Sequence, residues 1–75
     1  MISRYLEKAL SVARYEVLED GSVCAVVPGL RGVIAIGLGV EACRRDLAEV
    51  VADWVRVRIA RGLVVPRLGD VRIES

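Results

Sequence analysis

An α+β fold follows from three features of the 75-residue chain. Apolar residues recur at helical spacing near the start and again after residue 40, short apolar segments alternate between them, and Asp-Gly and Pro-Gly pairs stand where a sheet would turn. Together they predict an N-terminal helix followed by β-β-β-α-β, a small and mostly antiparallel sheet covered by one long helix. So short a chain holds a single domain, residues 1–75, with residues 1–12 as a helical extension.

In "MISRYLEKALSVA" the apolar positions Ile2, Tyr5, Leu6, Ala9 and Leu10 follow the helical period and predict a helix over 3–11 with one apolar stripe. Arg4, Glu7 and Lys8 interleave with them, so the segment lacks the continuous apolar block of a targeting signal, and a cytoplasmic protein is expected. "ARYEVL" then alternates, with Ala13, Tyr15 and Val17 on one side and Arg14 and Glu16 on the other, as a strand with one wetter face does. "EDGS" supplies a hairpin turn in which Asp20-Gly21 takes positive φ angles, and "VCAVV" returns as the second strand. Pro28-Gly29-Leu30-Arg31-Gly32 links it to a third strand, "VIAIGL", because proline ends a ladder and the glycines permit the reversal.

"VEACRRDLAEVVADWVRVRIARG" is the long helix, with Cys43, Leu47, Val50, Val51, Trp54 and Val55 on its apolar side and Gly62 at its end. Arg44, Arg45, Glu49, Ala52, Asp53 and Arg56 fall on the other side, where Glu41 with Arg45 and Asp53 with Arg56 are spaced for ion pairs. "LVVPRLGD" is a connection, and "VRIE" at 71–74 alternates as a final strand.

Composition narrows the function classes. Lys and Arg number 11 against 10 Asp and Glu, too even a balance to drive phosphate binding, and the acidic residues that interrupt the long helix argue for a solvated face over an RNA-binding stripe. No direct DNA binding is expected. A membrane span over 23–40 would place Arg31 and a Pro-Gly break near its middle. Without histidine, neither a zinc site nor the usual base for Ser3, Ser11, Ser22 or a cysteine is at hand, so no cofactor, no metal and no catalytic residue is expected. Cys24 and Cys43 read as reduced core thiols. Asn, Gln and Thr are absent, and the loss of thermolabile amides suits a thermophile, while the ten-to-one excess of Arg over Lys follows equally well from GC-rich coding.

Two motifs invite a sharper chemistry. Gly37-Leu38-Gly39-Val40-Glu41-Ala42 matches G-x-G-x-x-A at a strand-to-helix turn, but the second strand with its acidic end is missing: residues 56–62 are "RVRIARG", still helical and basic. Glu16, Glu19 and Asp20 gather near the first turn, where a metal-binding or acid/base role competes with the turn chemistry and solubility that favour acidic residues at a turn tip.

The stretch "EDGSVCAVVPGLRGVIAIGLGVEACRRDLAEVVADWV" resembles the HicB family of toxin–antitoxin antitoxins. Asp20, Gly21, Ala25, Val27, Pro28, Leu30, Gly32, Val33, Gly37, Leu47 and Trp54 stand in the family's places, and "RGLVVP" is similar to its Gly-x-x-x-Pro exit from the helix. Arg31 replaces a usual proline, Gly39 a Ser or Thr N-cap, and Val26 a common polar residue. The resemblance implies a partial RNase H-like fold with strand order 3-2-1-4, the fourth strand parallel to the first. It also implies a partner, a HicA-like mRNA-cleaving toxin neutralised by occlusion, with Arg14, Glu16, Glu19 and Asp20 as toxin contacts; the alternatives are a solitary HicB-like oligomeric binding protein without a toxin, or a small RNase H-like metal-dependent nuclease using Glu16, Glu19 and Asp20. Many such proteins continue into a DNA-binding segment; this chain is expected to have none and to resemble the short members made of the one domain.

The 55% apolar content exceeds what one small core can bury, which predicts self-association as a homodimer or tetramer. The second strand is apolar on both faces and one long helix covers only one, so Cys24, Val26, Ile34, Ile36 and Leu38 are the expected oligomer interface, unless the N-terminal helix lies over them.

Overall fold

A computed structural model describes residues 2–72. The apolar stripe of the first segment forms α1, Ile2–Val12, and buries Tyr5 and Ala9. Three short strands follow, β1 (Arg14–Val17), β2 (Val23–Val26) and β3 (Ile34–Gly37), and then the long helix α2 (Val40–Ala60). The strands form an antiparallel meander in the order β1-β2-β3, with Tyr15 opposite Ala25 and Ala25 opposite Ala35.

Because side chains alternate along a strand, this register divides the sheet cleanly. Val23, Ala25 and Ala35 point toward α2 and are buried against Cys43, Leu47, Val51 and Val55. The two alanines side by side let the helix lie close to the sheet. Val17, expected on the same side, is exposed, since β1 is the edge strand and Val17 is its last residue. α1 packs against α2 and leaves the other face of the sheet uncovered.

The first hairpin differs from the expected turn. Gly21 has φ +88° and among the described residues no non-glycine residue has positive φ, so Asp20 does not share the left-handed conformation. Leu18 N–H donates to Ser22 C=O and Gly21 N–H to Leu18 C=O, which closes a three-residue loop over Glu19–Gly21. A glycine in the left-handed region ends such loops, so the Asp-Gly pair serves a three-residue reversal. The β2–β3 link is two successive turns, closed by Leu30 N–H to Val27 C=O and Val33 N–H to Leu30 C=O. Pro28 and Arg31 occupy equivalent second places, so Arg31 costs the fold little where the HicB-like pattern has proline. Leu30 and Val33 between them are buried.

α2 begins at Gly39 in extended backbone, without a side-chain cap. It ends as expected at Gly62: the Gly62 N–H donates to Ile59 C=O and the Leu63 N–H to Arg58 C=O, the paired bonds of a Schellman closure. Arg58 then folds back, its guanidinium over the Trp54 ring and its Nε donating to Val64 C=O.

The tail differs from the expected fourth strand over 71–74. Ile73 and Glu74 lie outside the described residues. Leu68 and Val71 exchange both backbone hydrogen bonds with each other, at 2.8 and 2.9 Å, around Gly69-Asp70. Leu68 is buried in the core, so the chain reverses on itself there; among the described residues no strand runs parallel to β1, and the sheet is three-stranded.

Candidate protein-interaction surface

The uncovered face is a grid set by the strand register. Arg14, Val26 and Ile34 form one row across the three strands, and Glu16, Cys24 and Ile36 the next. Val26 is 39% exposed, Ile34 52% and Ile36 56%, Cys24 is half-buried, and Leu38 just beyond β3 is 93% exposed. The five residues expected at an interface thus share one contiguous, solvent-facing patch, with Arg14 and Glu16 along its β1 rim. The patch exists because β2 and β3 carry apolar residues at every position while α2 covers only one side.

The four expected toxin-contact residues divide into two pairs. Arg14 and Glu16 stand on the rim of the open face, whereas Glu19 and Asp20 occupy the hairpin tip. Asp20 is held in place by Ser22, whose backbone N–H and hydroxyl both donate to Asp20 Oδ1, at 3.0 and 2.6 Å. These donors favour the ionised form and hold the carboxyl below its usual range. Glu16, Glu19 and Asp20 are all exposed, and among the described residues no group of three or more His, Cys, Asp or Glu side chains is gathered as a metal site needs.

The remaining motifs resolve into packing. A Cβ built on Gly37 would lie 2.6 Å from the Cys43 amide nitrogen, so the first glycine of G-x-G-x-x-A is where helix and strand meet too closely for any side chain. Cys43 is fully buried, its thiol against Ala35 C=O, and burial pushes that thiol's pKa up. Neither cysteine is in a disulfide. On the outer side of α2 the expected Asp53–Arg56 ion pair forms at 3.1 Å between exposed groups, while Glu41 and Arg45 make none among the described residues. No described helix is long and apolar enough to cross a membrane.

Sequence reasoning missed two features. Val57, Ile59, Leu63 and Val64 form further exposed apolar surface around the end of α2; the run of apolar residues past Trp54 was the available signal. Tyr15 buries its hydroxyl without a hydrogen-bond partner among the described residues, which strand alternation alone does not reveal.

A helix, a three-stranded meander and a long covering helix define a small α+β domain with one sheet face covered and the other open. The chain belongs to the UPF0150-like family, whose profile matches residues 4–66. It is similar to the crystal structure of TTHA0281 from Thermus thermophilus, with 39% sequence identity and a TM-score of 0.91 over 99% of this chain and 93% of that one. Among curated proteins none matches.

Proposed function

We propose that the chain is a HicB-type antitoxin module, which binds a small HicA-like mRNA-cleaving toxin in the cytoplasm and blocks its active surface without chemistry of its own. UPF0150-like membership and the HicB-like pattern from Asp20 to Trp54 support the class. The observation that carries the reading is the acidic hairpin: Glu16, Glu19 and Asp20 project along an edge strand and its tip, in a chain whose formal net charge is +1. An edge strand offers unpaired backbone groups for augmentation, and a carboxylate-rich rim suits the basic surface that an RNA-cleaving protein needs for its substrate. The exposed, separated carboxylates support partner contact over a nuclease site.

The test is co-expression with any small basic protein encoded beside it. Growth arrest caused by that protein is expected to be relieved by this chain, and Glu19→Arg at the hairpin tip is expected to weaken capture while Arg56→Glu on the far side of α2 leaves it intact. A neighbour that is neither toxic nor captured removes the antitoxin reading.

A further inference from the structure

We infer that a second copy of this chain covers the open sheet face, through a two-fold axis that runs across the strands between the two rows of the grid. This proposal is independent of the toxin reading and needs no other protein. A two-fold axis makes contacts reciprocal, so a surface suits it only if it complements itself. Turning this face about that axis lays β1 on β1, β2 on β2 and β3 on β3, and sets each row over the other. Arg14 then faces Glu16 of the second copy and Glu16 faces Arg14 of the second copy; Cys24 meets Val26 and Ile34 meets Ile36, each twice.

The charges select this axis over its rival. An axis parallel to the strands would stack β1 on β3 and press Arg14 and Glu16 onto Ile34 and Ile36, burying charge against apolar groups without a partner. Crossing the strands instead pairs opposite charges along one rim and leaves the apolar residues to one another. An unrelated partner would have to present an apolar strip bordered by the reversed charge order, which the second copy supplies by symmetry.

The exposed area points the same way. The chain exposes 5240 Å², about 700 Å² more than the roughly 4,500 Å² expected of a compact monomer of 8.2 kDa. The open face and the extended segment after α2 both contribute to the excess. A stable interface of standard size removes about 800 Å² from each partner. Sheets stacked face to face lie about 10 Å apart, a spacing that valine, isoleucine and cysteine side chains from both sides can fill.

The purified wild-type chain is expected to sediment at twice 8.2 kDa at tens of micromolar and to dissociate on dilution. Ile36→Glu is expected to give a folded monomer by circular dichroism. Charge reversal tests the axis itself. Arg14→Glu and Glu16→Arg each place two like-charged contacts across the axis and are each expected to weaken self-association by about tenfold or more. Mixed together, the two variants restore opposite charges at both contacts and are expected to form a mixed dimer; the double variant is expected to dimerise like wild type. Loss of fold in one chain would not produce rescue by mixing. A wild-type monomer at these concentrations overturns the proposal, as does a dimer indifferent to Ile36→Glu, and variants that remain monomers when mixed overturn the axis.

Discussion

The Tyr5 hydroxyl donates a hydrogen bond to the Pro66 carbonyl and so ties the first helix to the segment that leaves the last one. The ring is fully buried, and burial raises the phenol's pKa while Arg58 works against it. Tyr5→Phe keeps the ring and removes the bond, with an expected loss of about 1 kcal/mol in denaturant unfolding. Tyr5→Ala empties the site and is expected to cost about 3–5 kcal/mol. A raised phenol pKa favours the folded state below the ordinary tyrosine value of about 10 and withdraws that support as pH climbs through the native value. Alkaline unfolding of Tyr5→Phe therefore begins at higher pH, relative to its own neutral stability, than that of the wild type.

Gly37→Ala puts a methyl group on the backbone of Cys43, where no flexible side chain can give way. Helix and strand must part, with an expected loss of about 1–3 kcal/mol. Gly39→Ala, in open space and extended backbone, meets no clash and should cost less, about 0.5 kcal/mol for the poorer N-cap, and provides the control. Thermal unfolding of the pair distinguishes a packing glycine from a general preference for glycine in the turn.

The two thiols differ in reach. Cys43 is fully buried with a raised pKa, so a disulfide reagent should modify it only on unfolding. Cys24 faces the open side of the sheet and should react in the dilute native protein, more slowly as concentration rises and the second copy covers it. Titration in native buffer should count one thiol, and two in denaturant.

Acid sensitivity at the hairpin follows from Asp20. Its carboxyl is held below the ordinary value, first by the Ser22 hydroxyl and then by the Ser22 N–H. A depressed carboxylate pKa stabilises the fold above the unfolded value of about 3.9 and is lost as pH falls through the native value. Ser22→Ala removes the larger contribution. Its stability should fall short of wild type at neutral pH and approach it in acid, and a constant deficit across that range would show that the hydroxyl acts without the charge.

Much of this was legible from residue order. The stripe of Tyr5, Leu6, Ala9 and Leu10 specified α1, and the alternation of β2 sorted Val23 and Ala25 from Cys24 and Val26, which is why the open face could be named residue by residue. Periodicity states which side of a helix is apolar and leaves open what will meet it; α1 could as well have lain over the sheet, and its packing against α2 is a tertiary choice. The hairpin loop length was hidden because Asp-Gly serves two-residue and three-residue reversals alike. In the tail, Val71 and Arg72 alternate as a strand would, but a two-residue turn at Gly69-Asp70 sends Val71 back to Leu68. The acidic residues were easy to find, and their division between rim and tip depended on where the loop began.

The packing of α1 on α2 also orders events during synthesis. Because α1 precedes α2 in the chain, its apolar stripe must wait for α2 before it can be covered, and Tyr5 waits longer still, for Pro66. Contacts between sequence-distant segments form late because a long loop must close first. The nascent chain therefore presents α1 to chaperones and proteases until α2 has emerged, and a message cut short after the sheet yields a product with no second helix to shelter it.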